Sequence, residues 1–270
     1  MNLNLSIVIV TYNCEGFISK MLDELILSLN NFEGYEILLM DNNSTDLTLL
    51  ELKDKEGVVV IDNFVNNGFA KANNMLISLA KYDNILLLNP DVFGFSNSFW
   101  VSLMDRWDHI NPLVICLLNK DLTYQDCVGD FVSFKRIFFN FFCKRKYSRI
   151  TSPIIVEMGI MAFFLVSKSC LNSVGLISED YHMYCEDMDW CFRAHKKGFP
   201  IIYDPTLSLI HWGGASSKTK WKEYEIKKIK YLTERIFIKK HYSFLHGNTL
   251  LLLNRIKILS CNLFILFSRK

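Results

Sequence analysis

A chain of 270 residues can bury one large core, or one core with a small appendage, and a hydrophobic content of one half excludes a disordered protein. No uncharged apolar run reaches the ~18 residues of a membrane-spanning helix; the run from Ile258 to Ser268 is too short and is bracketed by Lys257 and Arg269. The net charge of +2 conceals an asymmetry, because residues 218–270 carry 13 Lys and Arg against 3 acidic residues while the first 217 carry 17 against 25.

Such a basic tail suits an anionic surface. The apolar groups interleaved with it, Leu250 to Leu253, Ile256, Ile258-Leu259 and Leu263 to Phe267, favour a membrane surface over nucleic acid. The alternative is a helix packed on the rest of the chain. No basic leader or cleavage site marks the start, so no signal peptide is expected. The eight cysteines form no Cys-x-x-Cys pair, which points to reduced, partly buried thiols in a cytoplasmic protein.

In chain order, Ser6 to Val10 is a β-branched run that predicts a buried strand ending in Thr11-Tyr12-Asn13. Phe17, Met21, Leu22, Leu25 and Leu29 recur at helical spacing between about Glu15 and Asn30. A second strand, Tyr35 to Met40, ends in Asp41-Asn42-Asn43-Ser44-Thr45-Asp46, and a helix follows from about Thr45 to Lys55. Val58 to Asp62 reads as a third strand, Ala70 to Ala80 as a helix, and Ile85 to Leu88 as a fourth strand ending at Asn89-Pro90-Asp91. This alternation predicts an α/β fold with a mainly parallel sheet flanked by helices. Its polar strand ends should converge on one edge, where such sheets bind ligands.

The middle is less regular. Phe131 to Arg149 interleaves aromatic and basic residues, consistent either with a partly buried helix or with a surface that meets lipid or a lipid-linked substrate. Met161 to Val166 reads as a strand, Asp187 to Lys197 as a helix, and Ile201 to Tyr203 as a short strand leading to His211.

Asp91 is the first candidate for chemistry. A divalent cation can neutralise a leaving diphosphate, and hard cations take oxygen ligands from carboxylates, phosphates and water. One carboxylate needs a partner, and His211, after the apolar Leu207 to Ile210 and before Gly213-Gly214, is the best candidate for second ligand. Glu186-Asp187-Met188-Asp189 places three carboxylates at a predicted helix start. They either favour the positive end of the helix dipole or supply a general base for an acceptor hydroxyl. No Gly-x-Gly-x-x-Gly follows the first strand and no Gly-x-x-x-x-Gly-Lys-Ser/Thr loop occurs, which counts against a dinucleotide dehydrogenase and a P-loop enzyme.

Six motifs, in order, carry a resemblance across roughly residues 5 to 240. They are Ile9-Val10-Thr11-Tyr12-Asn13; Asp41 to Asp46; Asn67-Gly68-Phe69-Ala70 with Asn73-Asn74; Leu88-Asn89-Pro90-Asp91; Tyr184 with Glu186 to Asp189; and His211 with Gly213-Gly214. In these the chain resembles glycosyltransferase family 2, most closely its rhamnosyltransferase-like bacterial branch. The resemblance implies a GT-A fold over residues 1–240, with a nucleotide-sugar half of about 1–95 and an acceptor half of about 96–240, followed by a basic amphipathic tail at 241–270. It implies an inverting, single-displacement transfer from a nucleotide-sugar, with dTDP-rhamnose as the expected donor and a cell-surface polysaccharide or lipid-linked glycan as acceptor.

By the family's pattern, Thr11, Tyr12, Asn13 and Asp41 would hold the nucleotide, and Asn67, Lys71 and Asn74 would lie along the donor. Asp91 and His211 would bind Mn2+ or Mg2+, with Asn89 as the variant first member of an Asp-x-Asp motif. Asp187 would be the catalytic base and Glu186 would shape the acceptor side. Met161-Ala162, Gly175 to Glu179 and Cys185 depart from the family's usual residues and border that side. The expected location is the inner face of the cell membrane, held peripherally from the cytoplasm; oligomeric state is left open. The alternative is a membrane-associated, non-catalytic nucleotide-sugar-binding subunit with the same fold.

Overall fold

The computed structural model describes residues 2–53, 55–134, 136, 147–181, 183–213 and 223–253. Its first half alternates β1 (Asn2–Thr11), α1 (Ile18–Leu29), β2 (Glu33–Asp41), α2 (Thr48–Leu52), β3 (Val58–Asp62), α3 (Gly68–Leu79) and β4 (Asn84–Leu88). The predicted order is therefore present. Helix α1 buries Ile18, Met21, Leu22, Leu25 and Leu29, the stripe that a 3.6-residue period places on one face. β4 is buried at every position, as a strand covered on both faces requires.

The second half contains β5 (Val92–Phe93), α4 (Asn97–Arg106), β6 (Leu113–Leu118), β7 (Val128–Gly129), β8 (Ile154–Val156), β9 (Met158–Gly159) and β10 (Phe163–Ser167). Then follow α5 (Lys168–Val174), α6 (Glu186–Lys196), β11 (Ile201–His211) and α7 (Glu223–His241). Helix α4 lies in the stretch that reads as irregular. Ser96 caps it by accepting from Phe99 N at 3.2 Å, and Phe99, Trp100, Leu103 and Met104 form its buried face. The Trp100 indole, fully buried, donates to Ser28 Oγ at 2.8 Å, so no polar atom of the ring is orphaned.

Among the described residues, nine strands form one sheet in the order β3-β2-β1-β4-β10-β6-β11-β5, with β8 also paired to β11. β1 runs parallel to β2 and β4, and β2 runs parallel to β3. β10 enters antiparallel between β4 and β6, and β11 is parallel to β6. Thus β1, β2, β3, β4, β6 and β11 share one direction and deliver their carboxyl ends to the same edge. That edge carries the site.

β11 is longer than the short strand at 201–203 that the sequence suggests. Its register against β6 slips between Asp204 and Ser208, around Pro205, which has no N–H to give the ladder. Asp204 Oδ1 accepts from Thr206 N at 2.9 Å and Thr206 Oγ1 at 2.6 Å, replacing the lost pairing. The strand then resumes and carries His211 to the edge.

Helix α7 is docked by charge as well as by apolar packing. Asp189 of α6 is fully buried, and it accepts from Tyr181 Oη at 3.0 Å, Arg193 Nε at 2.8 Å and His241 Nε2 at 2.7 Å. Burial would raise this carboxyl, but the bonds from His241 and Arg193 hold it below the usual range. Phe237 and Ile238 of α7 pack with Val132, Tyr181, Cys185, Met188 and Leu250 in a second, smaller core. No helix among the described residues is long and apolar enough to cross a membrane. Most of the basic aromatic segment at 131–149, and residues 254–270 of the tail, lie outside the described residues.

Candidate active site

The turns that follow β1 and β2 are tied together by their own hydrogen bonds. Thr11 and Asp41 face each other across β1 and β2, and Thr11 Oγ1 donates to Asp41 Oδ1 at 2.9 Å. The same carboxylate accepts from Ser44 Oγ at 2.6 Å and Ser44 N at 2.8 Å, so Asp41, fully buried, braces its own loop. Asn13, in the left-handed region at φ 52°, donates its N–H to Ser44 Oγ at 2.8 Å and accepts from Thr45 N at 2.9 Å. Tyr12, between them, is half-buried.

Asn42, within the motif but without a role assigned from sequence, is the hub of this edge. Its Oδ1 accepts from Asn67 N at 2.9 Å and Asn63 Nδ2 at 3.1 Å, while its Nδ2 donates to Asn66 Oδ1 at 3.0 Å. These bonds fix the turn that starts α3. Asn67 sits half-buried at that start and Lys71 is exposed one turn on. Asn74 is committed elsewhere: its Nδ2 donates to Ile177 O at 2.8 Å and Glu179 Oε1 at 3.0 Å, and its Oδ1 accepts from Ile177 N at 3.0 Å. It braces the segment after Gly175, one of those that depart from the family's usual residues.

The cation pair proposed from sequence is brought together. β5 pairs with the end of β11, setting His211 against Val92, and Asp91 Oδ1 lies 3.1 Å from His211 Nε2. Trp212 N donates to Asp91 O at 3.0 Å and closes the junction. Asn89 Nδ2 lies 3.3 Å from the same Nε2, and Asn89 N donates to Ala162 O at 2.9 Å. Asp91 and His211 are both buried. An octahedral ion with bonds of about 2.1 Å holds adjacent ligand atoms about 3 Å apart, so the Asp91–His211 spacing fits two neighbouring positions on one cation. Among the described residues no third His, Cys, Asp or Glu joins them. A bound diphosphate and water would have to supply the remaining ligands.

Sequence reasoning missed Gln125, from the loop after β6. Its Oε1 lies 2.6 Å from His211 Nδ1, and its Nε2 donates to His211 O and to Asn119 Oδ1, each at 3.1 Å. No local pattern marks this residue.

Glu186 and Asp187 open α6, where the backbone before them is held at φ 67° (Tyr184) and φ 71° (Cys185). A left-handed backbone suits glycine best, and here two non-glycine residues hold it. Burial, reinforced by repulsion from Asp187, pushes Glu186 up to about 8. Burial raises Asp187 to about 6, opposed by the N–H of Met188 and the charge of Lys230. Among the described residues Glu186 Oε2 is buried with no hydrogen-bond partner. A carboxylate pair separated in this way can divide its roles, one ionised and one neutral near pH 7.

Six co-directional strands with polar ends on one edge, interrupted by one antiparallel strand, make this a GT-A-type glycosyltransferase fold. Solved structures agree. A mannosyltransferase from Pyrobaculum calidifontis, in complex with GDP-Man and Mn2+, superposes with a TM-score of 0.61 over 96% of this chain and 75% of its own, at 11% identity. GalNAc-T7 with UDP, GalNAc and Mn2+ gives 0.56 over 77% of this chain, which spans 42% of that enzyme, at 16% identity.

The chain belongs to glycosyl transferase family 2, whose sequence model matches residues 6–170, more than half its length. It is similar to the rhamnosyltransferase WbbL of Escherichia coli K12, 26% identical over 76% of this chain and 82% of the relative. It is also similar to the dTDP-rhamnosyl transferase RfbF of Shigella flexneri, 27% identical over 80% of this chain and 72% of the relative. The protein is therefore a glycosyltransferase.

Proposed function

We propose that this glycosyltransferase moves L-rhamnose from dTDP-rhamnose to a hydroxyl of a cell-surface polysaccharide precursor or lipid-linked glycan, with inversion. The observation that carries this reading is the 3.1 Å approach of Asp91 and His211, which come from distant parts of the chain to the edge where the strand ends converge. Names of relatives supply the sugar: one is a dTDP-rhamnosyl transferase.

In this reading residues 1–95 hold the donor, through Thr11, Tyr12, Asn13, Asp41, Asn67 and Lys71, and residues 96–240 the acceptor. Asn74 contributes by bracing the 177–179 segment. Asp91 and His211 hold Mn2+ or Mg2+, with Asn89 beside them. The ion, when bound, neutralises charge on the departing diphosphate. The acceptor oxygen attacks the anomeric carbon as the bond to the diphosphate breaks, and Asp187 takes the hydroxyl proton. Glu186, neutral near pH 7, offers its O–H as a hydrogen-bond donor to the acceptor. The protein meets the inner face of the cell membrane through the tail from 241 onward; Phe244, Leu245 and Leu252 are exposed there.

Two variants test the roles. Asp187→Asn abolishes transfer while dTDP binding stays within a few-fold of the parent; full activity would remove Asp187 as the base. Asp91→Ala weakens Mn2+-dependent binding of dTDP, measured by calorimetry. A thermal-shift panel of dTDP-, UDP- and GDP-sugars with and without Mn2+ tests donor and cation together, with the largest stabilisation from dTDP-rhamnose plus Mn2+. Donor binding without transfer or hydrolysis would point instead to a non-catalytic binding subunit.

A further inference from the structure

We infer that Gln125 is a positioning residue that fixes the tautomer of His211, placing the proton on Nδ1 and presenting the bare Nε2 lone pair beside Asp91. The assignment builds on the cation site proposed above; the proton on Nδ1 follows from hydrogen bonds alone, and the bare Nε2 is what it leaves in the neutral ring.

The starting point is a group whose chemistry allows one role. The carbonyl of Tyr124 only accepts, so the Asn119 atom 3.4 Å from it is the amide nitrogen, which also donates to Thr123 Oγ1 at 3.0 Å. Asn119 Oδ1 then points the other way and also only accepts. The Gln125 atom facing it at 3.1 Å must therefore be Nε2. The carbonyl of His211, 3.1 Å from the same nitrogen, imposes the same orientation independently. Gln125 Oε1 is left facing His211 Nδ1 at 2.6 Å, and an amide oxygen has no proton to offer. Nδ1 must carry it.

With the proton on Nδ1, the neutral imidazole has its lone pair on Nε2. That lone pair meets Asn89 Nδ2 at 3.3 Å and Asp91 Oδ1 at 3.1 Å. A lone pair and a carboxylate at this distance repel unless something positive lies between them. The opposite tautomer would instead close an Nε2–H···Oδ1 bond and fill the gap with a proton. Gln125 therefore holds the pair in the state that attracts a cation, through a chain of amides that ends on the backbone. The oxygen on Nδ1 also makes the ring a stronger donor to metal.

The test uses the full chain labelled with 15N-histidine, without metal, at a pH where the ring 15N shifts themselves show one protonated and one bare nitrogen. Long-range 1H–15N correlations, assigned by the signal lost in His211→Gln, report which ring nitrogen is protonated. Wild type is expected to show Nδ1–H. Gln125→Leu, which keeps the volume and removes the acceptor, is expected to shift the proton to Nε2, where Asp91 accepts it. Mn2+ binding, followed by electron paramagnetic resonance, should weaken by about 10- to 100-fold in that variant. Gln125→Glu retains an oxygen at Nδ1 and should keep the wild-type tautomer and an affinity within a few-fold. Nε2–H in the wild type overturns the inference, as does Gln125→Leu with unchanged tautomer and affinity. The predicted tautomer switch with no Mn2+ bound by either protein upholds the role of Gln125 and overturns the cation site.

Discussion

Glu186 and Asp187 are adjacent in sequence, yet their environments push them to about 8 and about 6. Asp187 can take a proton only when ionised, so kcat should rise with pH through about 6. Glu186 loses its donor proton near 8, and the rate should fall there. Glu186→Gln keeps a neutral donor, so its profile should retain the acidic limb and lose the alkaline one; an unchanged alkaline limb would assign that titration to another group. Stability runs the opposite way. Both carboxyls bind protons more tightly folded than unfolded, so the native state is favoured below about pH 4 and loses stability as pH climbs through the raised values. Asp187→Asn escapes that loss. Urea denaturation should find it about 2 kcal/mol more stable than wild type at neutral pH, with the advantage gone near pH 4, while transfer is abolished. Opposition to folding is the expected cost of holding a carboxylate in a dry site.

Elements differ in how plainly the sequence announces them. β1 to β4 are legible because each is an apolar run closed by a polar turn, and the apolar residues of α1 keep one face. Helix α4 and β6 carry the same signals, a Ser96 cap before Phe99, Trp100, Leu103 and Met104, and an unbroken Leu113 to Leu118, but neither is part of a motif. β11 reads only as a short strand at 201–203, whereas the structure continues it to His211 and absorbs Pro205 at a register shift. Asp91, His211 and Asp187 stand out as residue types at strand and helix ends. Gln125 and the partners of Asn74 do not, since their contacts span 86 and 103 residues with no local pattern. Close approach between elements is equally silent. A Cβ on Gly159 of β9 would lie 2.6 and 2.8 Å from the methyls of Val114, a buried β-branched residue in β6 that cannot swing aside. The same glycine accepts from Cys191 Sγ of α6 at 3.8 Å, so the clash would push against the helix that opens with Glu186 and Asp187. Gly159→Ala should cost about 1–3 kcal/mol by thermal denaturation. Gly129→Ala on the paired strand β7, where the nearest atom is 3.8 Å away, should change stability by less than about 0.5 kcal/mol.

Across the whole molecule, charge is divided between the acidic first 217 residues and a basic C-terminal portion, and two truncations separate what that portion does. Residues 223–253 contribute to the fold: Asp189 anchors His241, and Leu250 is fully buried with Phe237 and Ile238. Cutting after residue 244 removes Leu250 and should lower stability by about 1.5–3 kcal/mol, the value of burying one such side chain. Cutting after residue 253 leaves that core intact, and the melting temperature should stay within about 2 °C of the parent. The same cut removes Arg255, Lys257, Arg269 and Lys270 together with Ile256, Ile258, Leu259 and the Leu263 to Phe267 run. Each of these four basic residues contributes about 1 kcal/mol near an anionic bilayer, so partition onto vesicles containing anionic lipid should fall by about three orders of magnitude. Because that attraction is screened beyond a Debye length, the loss should shrink as salt is raised. Flotation of both truncations with anionic and with zwitterionic vesicles reads the two effects independently. Undiminished binding by the protein cut after 253 would reject a membrane role for residues 254–270, and would leave Phe244, Leu245 and Leu252, exposed on the preceding helical turns, as the surface to test next.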